Sequence, residues 1–159
     1  PDASVVFIGP CASKKLEASR RTVRSDVDFV ITFEELAGMF EAKGLLPEAV
    51  EAHDHMNDAT SAGRGYGVAG GVASAIESCI REYYPDVEVH IEHAESLTEC
   101  KKMLMLAKAG KKNGCLIEGM ACPGGCVAGA GTNIPIPQAV KEVTSFKNAA
   151  EEKLPSRED

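Results

Sequence analysis

Apolar residues along this chain fall into two spacings, short continuous runs and three- or four-residue steps, and the two alternate. Ser4-Val5-Val6-Phe7-Ile8 is a continuous apolar run, the pattern of a strand buried on both faces. Gly9-Pro10 ends it and delivers Cys11 just past its carboxyl end. Lys14 to Arg24 is polar and basic and reads as a short helix or irregular crossover, and Val27-Asp28-Phe29-Val30-Ile31 as the second strand. Thr32 and Glu35 make a capping box for a helix whose core face is Leu36, Met39 and Phe40. Gly44 is placed to end that helix. Residues 47–66 have no usable periodicity, and a loop of that length in a compact domain is usually functional.

From Gly70 the pattern turns helical. Val72, Ala75, Ile76, Cys79, Ile80 and Tyr83 form a stripe that must face a core, and Pro85 closes it. Val87-Glu88-Val89-His90-Ile91 alternates as a third strand. Ser96 and Glu99 predict a second capping box, ahead of a helix burying Cys100, Met103, Leu104 and Ala107. Gly110 ends it, and a fourth strand begins at Cys115. Pro137 suits the first turn of a last helix with Val140, Val143 and Phe146 on its apolar side. Strands alternating with helices predict an α/β fold, a parallel four-stranded sheet flanked by helices with right-handed crossovers. Residues 1–154 read as one domain, followed by a charged tail at 155–159.

Charge narrows the class. Seventeen Lys and Arg against 24 Asp and Glu give a net −7, which argues against nucleic acid or an anionic membrane as partner. No apolar run approaches the roughly 20 residues that span a bilayer. No signal peptide is visible, and the expected compartment is the cytoplasm. The first residues read as the entrance to a strand, so further sequence is expected upstream.

The six cysteines divide by setting. Cys79 and Cys100 fall on apolar helix faces and Cys115 starts an apolar run, where cysteine behaves as a small hydrophobe. Cys11, Cys122 and Cys126 sit in Gly/Pro loops instead. A disulfide framework suits neither the chain's size nor its regular helical pattern. The stretch from Glu118 to Gly131 holds two thiols in a loop of small residues, which lets backbone come close to a bulky, rigid object and offers it soft ligands. An iron–sulfur cluster fits that description. A zinc site would call for a second matching pair, and only Cys11 is offered. In open parallel sheets ligands bind beyond the carboxyl ends of the strands, where all three thiols fall. Gly65 to Gly70 has the G-x-G-x-x-G spacing, but no strand precedes it, so nucleotide binding is disfavoured. The amino end of the following helix still offers N–H groups to an anion. His53, His55, His90 and His93 read as surface or strand residues rather than ligands.

Taken in order, three segments resemble those of the hydrogen-activating domain of the [FeFe]-hydrogenases. Gly9-Pro10-Cys11-Ala12-Ser13-Lys14-Lys15-Leu16-Glu17 is similar to the family's M-P-C-x-x-K-K-x-E. Glu118 to Asn133 is similar to E-x-M-x-C-P-G-G-C-x-G-G-G-Q-P, and Tyr66-Gly67-Val68-Ala69-Gly70-Gly71 to F-G-x-T-G-G. The resemblance implies that Cys11, Cys122 and Cys126 ligate the [4Fe–4S] part of the H-cluster, with Cys126 bridging to a two-iron subsite bearing carbonyl and cyanide. It further implies that Lys14 donates to a cyanide, that Met120 packs against the two-iron unit, and that Gly9, Pro10, Tyr66, Gly124 and Gly125 line the cofactor. Proton reduction or H₂ oxidation, with electrons exchanged with a ferredoxin-like partner, is the implied activity.

The family's first motif, T-S-C-C-P, does not occur in this sequence, and with it go a fourth ligand and the proton-relay cysteine. The chain therefore resembles the carboxyl-side lobe of a two-lobed hydrogenase domain. Taken by itself it is expected to lack the cofactor, to be inactive, and to self-associate through the face that meets the amino-side lobe. Gly9 stands where the family has Met, Tyr66 where it has Phe, and Ala130 and Thr132 interrupt the glycine-rich tail, departures that point to a sensory or low-turnover member. The alternative is a non-catalytic iron–sulfur sensor or assembly protein on the same fold, which would have no need of Lys14.

Overall fold

A computed structural model describes residues 3–20, 22, 26–51 and 59–156. His53 and His55 lie outside them. The chain divides into two compact units, Pro1–His55 with Ala128–Pro135, and Met56–Val127 with Ile136–Asp159.

In the first unit, β1 (Val6–Ile8) and β2 (Phe29–Ile31) pair in parallel with Phe7 opposite Val30. Between them runs α1 (Ser13–Ser19). Lys15 reaches from α1 to donate to the Val30 carbonyl at 3.0 Å and to the Glu35 carboxylate at 2.8 Å. Lys15 therefore ties α1 to β2 and to α2 (Phe33–Ala42). The Thr32–Glu35 capping box forms as patterned, with Glu35 N–H donating to Thr32 Oγ1 at 3.2 Å and Thr32 N–H to Glu35 Oε2 at 2.9 Å.

The second unit pairs β3 (His90–Glu95) and β4 (Cys115–Met120) in parallel, from His90 opposite Cys115 to Glu95 opposite Met120. Its helices are α3 (Ser61–Arg64), α4 (Gly71–Tyr83), α5 (Leu97–Lys108) and α6 (Ile136–Asn148). Arg64 stacks 4.3 Å over the Phe146 ring and donates to the Phe146 carbonyl, joining α3 to α6. Lys112 pairs with Glu92 beside the β3–β4 ladder. Small residues fill the tightest places, with Ala73, Ala75, Ala94 and Ala139 all buried. No described helix is long and apolar enough to cross a membrane.

Several expectations change. The α/β class holds, but the single four-stranded sheet does not, because the strands pair as two separate two-stranded parallel sheets. Patterning reports which faces of a strand are apolar, not what covers them. Sheet membership is decided by backbone N–H and C=O groups at strand edges, which almost every residue carries alike. The third strand lies at His90–Glu95 rather than 87–91, since its bounds are set by the ladder with β4 rather than by its own alternation. Burial also falls short of the pattern: β1, expected to be buried on both faces, leaves Val6 and Ile8 exposed, and Met39 of α2 and Leu104 of α5, expected on core faces, are 52% and 67% exposed. The 47–66 stretch also contains a turn of 3₁₀ helix at Pro47–Ala49 and the short α3, which Thr60 caps by accepting from Gly63 N–H.

Candidate metal centre

The thiol-bearing loop leaves the end of β4 and is pinned along its backbone. Gly124 and Gly125 have φ of 95° and 92°, which residues with a Cβ rarely adopt. Gly125 N–H donates back to the Cys122 carbonyl at 3.0 Å, closing a turn between the two cysteines. Ala69 N–H donates to the Gly124 carbonyl and Val127 N–H to the Gly67 carbonyl, each at 3.0 Å. A Cβ at Gly125 would strike the Ala69 nitrogen and lie 2.7 Å from the Val68 carbonyl carbon. The Tyr66–Gly71 segment and the cysteine loop are thus docked backbone to backbone, and Gly125 is required for that approach.

Glu118, two residues before Met120, has a role that the sequence does not announce. Its carboxylate is buried and accepts from the N–H groups of Gly70 at 2.6 Å and of Val72 and Ala73 at 3.1 Å. These are unpaired donors at the start of α4, so the anion that this helix end attracts is one of the chain's own side chains. His93 Nδ1 stands 3.3 Å from Glu118 Oε2. Neither residue could be found by periodicity, because a strand glutamate that caps a helix 45 residues away leaves no local signature. The capping signals that are legible, at Thr32 and Ser96, act three residues along the chain.

The second unit holds Cys122, Cys126, Met120, Tyr66, Gly124 and Gly125, and the first holds Cys11, Lys14, Gly9 and Pro10. Cys122 and Cys11 are partly buried, Cys126 is exposed, and no disulfide engages any of the six cysteines. The tail of the cysteine loop belongs to the first unit, where Gly131 N–H donates to the Pro10 carbonyl at 2.9 Å, next to Cys11. Gly131 in turn accepts from Glu34 N–H at 3.2 Å, and a Cβ there would sit 2.5 Å from Thr32 Cβ. Lys14 donates to both oxygens of Glu17, at 2.9 and 3.0 Å. Cys100, read as a buried apolar cysteine, directs its thiol at the carbonyls of Ala94 and Met120 at 3.6 and 3.7 Å. Among the described residues no three His, Cys, Asp or Glu side chains converge as a single-ion site does. A four-iron cluster takes one thiolate per iron and needs no such convergence.

Together these features define a class, an α/β protein that presents a Cys-Pro-Gly-Gly-Cys loop at the end of a parallel strand. The chain belongs to the family described as iron only hydrogenase large subunit, C-terminal domain, whose model matches residues 1–130. It is 30% identical to the periplasmic [Fe] hydrogenase large subunit of Nitratidesulfovibrio vulgaris over 79% of this chain and 38% of that protein. It is 30% identical to iron hydrogenase 1 of Clostridium pasteurianum over 87% of this chain and 30% of that protein. With subunit HndD of the NADP-reducing hydrogenase of Solidesulfovibrio fructosivorans it shares 31% over 80% of this chain and 27% of that protein. The chain thus spans between 27% and 38% of the length of these curated relatives. Among solved structures, apo HydA1 [FeFe]-hydrogenase from Chlamydomonas reinhardtii superposes with a TM-score of 0.63 at 21% identity, covering 95% of this chain and 55% of that one. An [FeFe]-hydrogenase whose oxygen inactivation begins at the 2Fe subcluster of the H cluster superposes with a TM-score of 0.60 at 20% identity, covering 98% and 55%. These likenesses show the fold.

The residues fit an iron–sulfur cluster in two respects. Three thiols lie in loops of small residues, and the loop between two of them is so closely docked that its glycine admits no Cβ. Soft thiolate donors suit iron and sulfide.

Proposed function

We propose that this chain is the carboxyl-side lobe of the hydrogen-activating domain of an iron-only hydrogenase. In that reading Cys11, Cys122 and Cys126 would hold the [4Fe–4S] part of the H-cluster, with Cys126 also serving its two-iron subsite. The fourth thiolate and the proton relay come from an amino-side lobe. When bound, the cluster supplies the redox centre at which two protons and two electrons form H₂, or H₂ is split. Met120 would pack against the two-iron subsite and exclude water. Gly9, Pro10, Tyr66, Gly124 and Gly125 form the surrounding wall, and electrons pass to a ferredoxin-like partner. Lys14 would donate to an anionic cyanide. Its present pair with Glu17 is about two-fifths exposed on both sides, and such pairs hold an ammonium weakly enough to release it.

The observation that carries this reading is the Cys122–Cys126 loop at the end of β4, docked backbone to backbone on the Tyr66–Gly71 segment with no room for a Cβ at Gly125. The test is the full-length parent matured with its cofactor, assayed for H₂ evolution and by infrared spectroscopy. Turnover together with carbonyl and cyanide bands is expected. Absence of both activity and bands overturns the enzyme.

The second reading, a non-catalytic iron–sulfur sensor, draws on the engagement of Lys14 by Glu17. It predicts a [4Fe–4S] signal without those infrared bands.

A further inference from the structure

Two adjacent residues outside all three motifs grip the chain on either side of Cys122. Glu95 ends β3 opposite Met120, and its Oε2 accepts from the Gly124 N–H at 2.8 Å. The next residue, Ser96, donates its N–H to the Met120 carbonyl at 2.8 Å. The backbone two residues before Cys122 and two residues after it is therefore held by one dipeptide.

That dipeptide is itself locked. Ser96 has φ 122° and ψ 156°, a conformation that glycine adopts far more readily than serine. The start of α5 holds it there. Ser96 Oγ accepts from Glu99 N–H at 3.2 Å, and the Glu99 carboxylate accepts from Glu95 N–H at 2.9 Å. The abrupt turn sends the chain into α5 and leaves the Glu95 carboxylate bonded to the cysteine loop. Strain of this kind persists where the surroundings over-determine it, and it collects at functional sites.

We propose that Glu95 is a positioning residue that clamps the Cys122–Cys126 loop through Gly124 and lowers the reduction potential of the iron–sulfur cluster the loop holds. This rests on the cluster-binding reading above. A main-chain N–H between two ligand cysteines is a donor that a cluster sulfur would otherwise compete for, and hydrogen bonds to cluster sulfur ease reduction. Glu95 takes that donor and adds a full negative charge beside the loop. Both effects oppose adding an electron.

Two measurements on the full-length parent test this, with Glu95→Gln keeping an acceptor oxygen without the charge and Glu95→Ala removing both. The first is hydrogen exchange, by mass spectrometry, of the peptide carrying Gly124 in metal-free protein, with β3 and β4 peptides as the folding control. Glu95→Ala is expected to speed exchange about tenfold, as loss of one hydrogen bond implies, and Glu95→Gln to stay near wild type. The second is a redox titration of the [4Fe–4S] cluster followed by electron paramagnetic resonance. Both variants are expected to titrate at a more positive potential, and Glu95→Ala to retain less iron per protein. Unchanged exchange in Glu95→Ala overturns the clamp, and an unchanged potential in Glu95→Gln overturns the electrostatic role. A wild-type parent that binds no cluster overturns the underlying reading and the potential-setting role with it, while exchange still decides the clamp.

Discussion

Glu118 is the residue on which the second unit turns. Its single buried carboxylate accepts from three backbone N–H groups at the start of α4. Hydrogen bonds to a charged group are worth about 1.5–3 kcal/mol each, they are not additive, and the orphaned donors cost more once the acceptor is gone. Glu118→Ala is expected to destabilise by about 3–4 kcal/mol, read as a lowered urea midpoint. Loss below about 1 kcal/mol would mean that water replaces the cap. In the first unit the Lys15 ammonium, and after it the Thr32 N–H, hold the Glu35 carboxyl below the usual carboxylate range. A lowered folded value means that the contribution is present at neutral pH and is lost as pH falls below about 4.3 through that folded value. Glu35→Gln should flatten the acid limb of the stability–pH curve, and an identical limb in both proteins would show that Glu35 adds nothing to it.

At the scale of elements, the contact that matters is loop against loop. Gly125 lies against the Val68–Ala69 backbone at φ 92°, so Gly125→Ala brings both a strained conformation and a clash with main chain that cannot rotate away. The conformation by itself costs about 1–3 kcal/mol. The loop is expected to lift from the Tyr66–Gly71 segment, with faster amide exchange at Ala69 and lower iron content in the matured parent. Normal protection at Ala69 would show that the docking tolerates a Cβ. Gly38, inside α2, has nothing within 4 Å of the corresponding position, and Gly38→Ala is the control that should leave both readouts alone.

For the molecule as a whole, cluster ligands and apolar cysteines predict different iron counts. Cys11→Ala and Cys122→Ala in the matured parent should each lower iron and sulfide per protein, whereas Cys79→Ala should not. Unchanged iron in the first two would leave those thiols without a role.

By itself the sequence determined what is local. The Thr32–Glu35 box, the Ser96 N-cap, the α4 helix and the cysteine–glycine loop each depend on residues a few positions apart and formed where the pattern put them, although the Ser96–Glu99 box closes on one side only, the Glu99 carboxylate taking the Glu95 N–H, and Ile76 of the α4 stripe is exposed. The candidate ligands were legible for the same reason, since thiols among glycines are unusual wherever they occur. Tertiary structure decided everything carried by backbone groups from distant segments: two paired sheets in place of one, Lys15 on Val30, Glu118 on α4, and Glu95 on Gly124. Main-chain N–H and C=O groups are nearly the same at every position, so no spacing of side chains reveals which of them will meet.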